Sequence, residues 1–307
     1  MSERTAPAAA DGPRWVPLAC LLATGALLGL STNVAKLAGE AGLPPLALLA
    51  WSVLGAAVLL GGVALLRGDP PRLGARALEY YAVAAFVTVA ASNLVFFSAV
   101  PRVGASFVAL AIAFPPLLTW VGALVLGLER FDAVRGVAVL AALAGAVWLA
   151  LRELSAPDAP ALWIGLTLVG PVLLAIGNLY RTLRWPPGAS AESLAPGMLG
   201  AAALMLLAAG AVPGLSLRVP LDGALPIALV AIQTGLFAAQ FTMLFVLQKR
   251  GGPVYLSLLG AVGAVVAVPV AVLVLGEAPP RGLALGAGLI ALGVGLLTWG
   301  GARASRA

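Results

Sequence analysis

The feature that most constrains this chain is the length and spacing of its apolar runs. Cutting at charged or Pro/Gly-rich breaks leaves ten segments: 15–35, 44–66, 78–99, 103–127, 133–151, 161–181, 191–212, 223–247, 252–275 and 282–300. About 20 apolar residues in a helix cross the roughly 30 Å hydrocarbon core of a bilayer. Each segment is close to that length. None carries the strong polar stripe that a surface helix of a soluble domain shows. The composition agrees: 62% of residues are hydrophobic and 10% charged, with a mean hydropathy of +1.06. Soluble domains are about a quarter charged. The expected fold is therefore an all-α integral membrane protein with ten transmembrane helices. Only short loops remain between the segments, so no soluble domain is expected.

Basic residues set the expected orientation, because they concentrate on the cytoplasmic side. With the N-terminus inside, 13 of the 18 Lys and Arg residues fall on the cytoplasmic side and 5 on the other. The five are Lys36, Arg102, Arg152, Arg218 and Arg281. Both termini are thus expected in the cytoplasm, as an even number of spans requires. Residues 1–14, MSERTAPAAADGPR, read as a disordered tail and 301–307 as a second tail. No cleavable signal peptide is expected, since the polar leader runs into a full-length span.

Several chemistries are excluded by what the sequence lacks. It contains no histidine, so His-based zinc sites, Ser-His triads and histidine proton relays are ruled out. The single cysteine, Cys20, lies in the first apolar run and reads as a structural thiol. No metal or cofactor is expected. No GxxxxGK[ST] motif is present, so ATP is not expected as a partner. The net charge of +6 is spread over short loops, which argues against nucleic acid.

The chain also repeats itself. Gly25, Asn33 and Lys36 form G-x7-N-x2-K, and Gly170, Asn178 and Arg181 form G-x7-N-x2-R at an offset of 145. Glu129 matches Glu277, Arg102 matches Arg250 and Gly104 matches Gly252, all at an offset of 148. Two five-helix units, 15–151 and 161–300, account for these matches. Five is odd, so the second unit enters from the opposite side, giving the inverted repeat common among secondary transporters.

Two stretches carry a family resemblance: PPLLTWVGALVLGLERFDAVRGVAVLAALAGAVWLA (115–150) and VAVPVAVLVLGEAPPRGLALGAGLIALGVGLLTW (266–299). Each has a helix ending in a glutamate, a short loop with Pro or Arg, and a Gly-rich final helix. This pattern resembles the drug/metabolite transporter superfamily, and within it the ten-helix EamA-type members. The resemblance implies a secondary transporter of small organic metabolites (amino acids, their derivatives, or drugs). It implies no enzyme activity, alternating access between the repeats, and a bacterial inner membrane. Export is the direction expected. Either a monomer or a homodimer is compatible with the sequence.

Candidate site residues follow from what is costly inside a bilayer. Pro115 and Pro116 remove backbone donors in the middle of an apolar run. Unwound backbone is tolerated there only if it lines a cavity or is buried in protein. A substrate cavity and a packing kink are both consistent with the pair. Asn33, Ser92, Asn93, Asn178 and Gln240 are among the few polar side chains inside segments, where each must find partners. Asn93 and Gln240 are read as site residues, and Ser92 lines up with Gln240 at the 148 offset. The resemblance places segments 3 and 8 along the central pathway. Asn33 and Asn178, repeated near helix ends, fit structural hydrogen bonding as well as a site. Phe114 and Trp120 flank the proline pair and Tyr180 lies beside Asn178, so aromatic rings would complete the wall.

All twelve acidic residues lie in loops, the N-terminal tail or at segment ends. Intramembrane carboxylates mark ion relays, so the site is expected either to be neutral and hydrogen-bonding or to have its coupling group near a membrane face. Any coupling group would be Glu79, Glu129 or Glu277, each of which also reads as a helix-end anchor paired with a nearby Arg. Lys36 and Arg181 read either as guards of opposite mouths or as snorkelling anchors. The competing function classes are a membrane enzyme acting on lipid-linked substrates, a structural subunit and a channel. The scattered acids argue against the enzyme, and the lack of a polar stripe or charged ring argues against the channel.

Overall fold

The computed structural model describes residues 15–127, 131–154, 161–221, 223–257 and 259–304. Among these the ordered elements are all helical. They are α1 (Trp15–Glu40), α2 (Pro45–Leu66), α3 (Ala75–Ala85), α4 (Ala91–Val103), α5 (Ala105–Ala111), α6 (Pro115–Val125), α7 (Ala133–Leu154), α8 (Ala161–Leu183), α9 (Ala191–Ala209), α10 (Ala224–Ser257), α11 (Leu259–Pro269) and α12 (Leu283–Ala304). A π-helical turn at Phe86–Ala90 joins α3 to α4, and another at Val270–Val274 extends α11.

Six helices among the described residues are long and apolar enough to cross a membrane: Ala19–Glu40, Pro45–Leu66, Ala75–Val103, Ala161–Leu183, Ala191–Ala209 and Ala224–Gln248. Shorter apolar helices run over Gly136–Leu149, Val262–Val274 and Leu283–Gly293. The fourth segment expected from sequence is broken into α5 and α6. Large apolar side chains such as Val58, Leu59, Leu65, Leu140 and Leu204 remain exposed along these helices, as a lipid-facing surface requires. The chain is a multi-pass membrane protein.

One expected break is absent. The sequence LQKRGG separates segments 8 and 9 on paper, yet α10 continues through it to Ser257. Glycine costs about 1 kcal/mol relative to alanine inside a helix; it weakens a helix without forbidding one. The matching place in the first half does break. Gly104 has φ +83° and ends α4, with its N–H donating to Val100 O at 2.9 Å.

The two halves of the chain are interleaved. α1 packs on α10 and α11, and α8 packs on α4 and α6; α2 packs on α9, and α7 on α12. The repeated glycines lie at these contacts. A Cβ at Gly25 would meet Val262 on α11 at 2.5 Å, and one at Gly170 would strike the Phe96 ring on α4. One large core joins α1, α2, α3, α4, α9 and α10, and a smaller one joins α5, α6, α7 and α12.

Polar contacts sort to the two ends of the bundle. At one end Lys36 pairs with Glu277, Trp51 Nε1 donates to Leu217 O at 2.9 Å, and Arg102 lies over the Trp163 ring. At the other, Arg184 pairs with Glu79, Arg67 with Glu192, and Arg72 donates to the carbonyls of Pro187 and Gly188.

Candidate substrate cavity

α1, α4, α6, α8, α10 and α11 surround a cavity of about 90 Å³. Its polar lining is Thr24, Thr88, Asn93, Asn178, Arg181 and Gln240; Leu28, Phe96, Leu174, Phe241 and Leu244 are among its apolar residues. A water needs roughly 10–15 Å³ of such space, so the cavity has room for several.

The proline pair sits at this wall. Pro115 and Pro116 do not kink a continuous helix. They open α6, where the first N–H groups have no intrahelical partner and proline is well tolerated. α5 ends with i→i+3 bonds, Ala113 N–H to Leu110 O and Phe114 N–H to Ala111 O, both 3.1 Å. Because Pro116 has no N–H, the helical donor for Ile112 O is missing. Ile112 and Pro115 both line the cavity. Gly260 of α11 sits directly against this break, and a Cβ there would collide with Ile112 O and lie 2.7 Å from Ala113 Cα. Only glycine allows so close an approach.

Four of the nine residues expected from sequence meet at the cavity: Asn93, Pro115, Asn178 and Gln240. The other five do not line it. Asn33 is buried, and its amide donates to Gly29 O at 3.0 Å and Ala267 O at 3.1 Å, tying α1 to α11. Ser92 is fully buried, one residue and about 100° of helix away from Asn93. Phe114 and Trp120 belong to the smaller core. Tyr180 stacks on Tyr80 and donates to Glu79 at 3.3 Å, facing a surface pocket bounded by Arg76 and Arg184. The period of 3.6 residues per turn explains these misses: neighbours in sequence point to different faces.

The expectation of an uncharged cavity is corrected. Arg181 lines it and is 3% exposed, so it neither guards a mouth from solvent nor snorkels. Its Nη2 donates to Asn178 Oδ1 at 2.9 Å, while Nε and Nη1 have no hydrogen-bond partner among the described residues. Asn178 Nδ2 reaches Thr119 Oγ1 at 3.5 Å. Positions 178 and 181 share one face of α8, as residues three apart do. On α10 and α1, Gln240 Oε1 and Thr24 Oγ1 are also buried and unpartnered. The sequence signal that could have found Arg181 was its place: three residues after Asn178, in a repeat of Asn33 and Lys36.

Lys36 does not reach the cavity. Its Nζ lies 3.3 Å from Glu277 Oε2, with the two side chains 15% and 12% exposed. Glu277 also accepts from Ala105 N–H and Ser106 N–H, both at 3.0 Å. A Cβ at Gly104 would lie 2.5 Å from Glu277 Oε1, so the carboxylate occupies the space that glycine leaves. Of the three acids set aside as coupling candidates, Glu277 pairs with a lysine and Glu79 with Arg184, whose guanidinium pKa is raised by that carboxylate. Glu129 lies outside the described residues. Trp51 is tethered to Leu217 and is not a cavity residue. No group of three His, Cys, Asp or Glu comes together among the described residues.

Comparison with known proteins agrees with this architecture. A solved crystal structure of a protein with 21% sequence identity superposes with a TM-score of 0.64, over 92% of this chain and 96% of that one, which bears on the fold alone. No curated protein matches the sequence. The model of the EamA-like transporter family matches residues 15–151. Over that segment, a little under half of the chain, the sequence is similar to the EamA-like transporter family, which is consistent with the drug/metabolite transporter superfamily.

Proposed function

We propose that this protein is a secondary carrier for small organic metabolites, working by alternating access and running as an exporter in a bacterial inner membrane. The observation that carries the reading is the cavity itself. Its wall is built from both halves of the chain, α1, α4 and α6 from one and α8, α10 and α11 from the other. A site at such a seam changes its access when the halves rock against each other.

The packing supports ten spans in two inverted five-helix units, 15–151 and 161–300. Exchanging the halves turns the pairing of α1 with α10 and α11 into that of α8 with α4 and α6, while α2–α9 and α7–α12 map onto themselves. The sorting of loop contacts to two ends fits termini on the cytoplasmic side. In that orientation the Lys36–Glu277 pair closes the outer end. Asn93, Gln240, Asn178 and Pro115 are the substrate-binding residues of this reading.

Counterflow in proteoliposomes tests it. Vesicles loaded in turn with a panel of small metabolites should trap labelled external substrate of one class, with saturation, and Asn93→Ala or Gln240→Ala should abolish this. Unsaturable flux would mark a channel instead. No exchange across the panel by folded protein would leave a structural subunit as the better account.

A further inference from the structure

We propose that Arg181 anchors a carboxylate on the substrate, so that the carrier takes small monocarboxylates with an apolar body; this rests on the cavity being the transport site. A guanidinium stays charged at any physiological pH. Buried away from water, it needs hydrogen-bond acceptors and a counter-charge. Arg181 has one acceptor from the protein, the neutral Asn178 Oδ1. Three carboxylates of the helix ends pair with other cations: Glu79 with Arg184, Glu192 with Arg67 and Glu277 with Lys36. Among the described residues no carboxylate lies within ion-pair distance of Arg181.

The geometry selects the ligand. Guanidinium carries five N–H bonds in a planar fork. Whichever hydrogen of Nη2 goes to Asn178, one edge keeps two parallel N–H bonds, the arrangement that engages a carboxylate with two bonds. Among the described residues Arg181 is the one cationic side chain lining the cavity, which suits a single negative charge better than a phosphate dianion. Leu28, Phe96, Leu174 and Leu244 would receive an apolar body. Gln240 Oε1 and Thr24 Oγ1, unpartnered among the described residues, leave free positions for one further polar group. A cationic ligand would meet the guanidinium and be repelled.

The test is calorimetric titration of the full chain in detergent with four probes of one carbon skeleton: 4-methylpentanoate, 4-methylpentanamide, 4-methylpentylamine and 4-methylpentyl phosphate. The carboxylate should bind at least about tenfold more tightly than each of the others, the ratio of one well-made charged contact. Arg181→Gln should remove that preference and Arg181→Lys should keep part of it. Asn178→Asp supplies a competing carboxylate beside Arg181. It should weaken carboxylate binding by a similar factor in a protein that elutes as the parent does, which covers the case in which the Arg181 variants fail to fold. Equal binding of the amide, tighter binding of the phosphate, or a carboxylate preference that survives Arg181→Gln would each overturn the proposal, as would no carboxylate binding. Counterflow with the same probes separates the two readings. Exchange of the amide or amine in place of the carboxylate keeps the carrier and rejects the anchor. Arg181-dependent binding without exchange keeps the anchor and rejects the carrier.

Discussion

Lys36 and Arg181 hold matching places in the two halves, each three residues after an asparagine and eleven after a glycine. Their surroundings differ. Lys36 meets a carboxylate from the other half, and that carboxylate also takes two backbone N–H groups. Arg181 is more deeply buried, and among the described residues its one hydrogen-bond acceptor is an amide oxygen. Their asparagines differ too. Asn33 ties α1 to α11, whereas Asn178 faces the cavity and holds the arginine. Repetition fixes where a residue sits along its helix; the packing of the opposite half decides what it meets. One copy of the motif ends in an ion pair and the other in the cavity wall.

Substitutions can break this contrast. Glu277→Ala should have the largest effect. It leaves Lys36 without a counter-charge and strips two N–H groups of their acceptor, a loss of about 3 kcal/mol for a buried pair broken on one side. Thermal unfolding in detergent should show a clear drop in Tm, and an unchanged Tm would mean the network contributes little. Gly104→Ala should follow at about 2 kcal/mol, because the methyl needs the space of Glu277 Oε1 and the backbone is left-handed there. Lys36→Met should cost less, about 1 kcal/mol, since Glu277 keeps both backbone donors.

Arg181→Met sharpens the contrast by its sign. Removing a buried charge without a counter-ion should leave the ligand-free protein no less stable, or more stable by up to about 1 kcal/mol. A large fall in Tm on Arg181→Met would show that the arginine is a structural tie like Lys36.

Much of the fold was legible because hydrocarbon imposes a crude rule, a sufficient length of apolar residues per crossing. The starts of α2, α8 and α9 are close to their expected places, and Ser190 caps α9 by accepting from Ser193 N–H at 2.9 Å. The break at 248–251 misled, because glycine lowers helix stability without setting direction. Pro115 and Pro116 correctly marked an interruption at the cavity. Asn93, Asn178 and Gln240 were readable as costly polar groups, but Ser92 and Tyr180 were not separable from them by composition. Helices apolar nearly all round give no stripe to show which face turns inward.

By itself the sequence determined that this chain lives in a bilayer, that its segments form helices, and that short motifs recur at a nearly constant offset. Those conclusions rest on hydrophobic length and on repeated spacing, which are properties of the chain alone. The tertiary structure decided that Arg181 faces a cavity while Lys36 meets Glu277, and that Gly260 presses on the break before Pro115. Each of these joins residues about 60 to 240 positions apart. Rotation about each helix axis and contact with the opposite half set them, and neither is written in a local pattern.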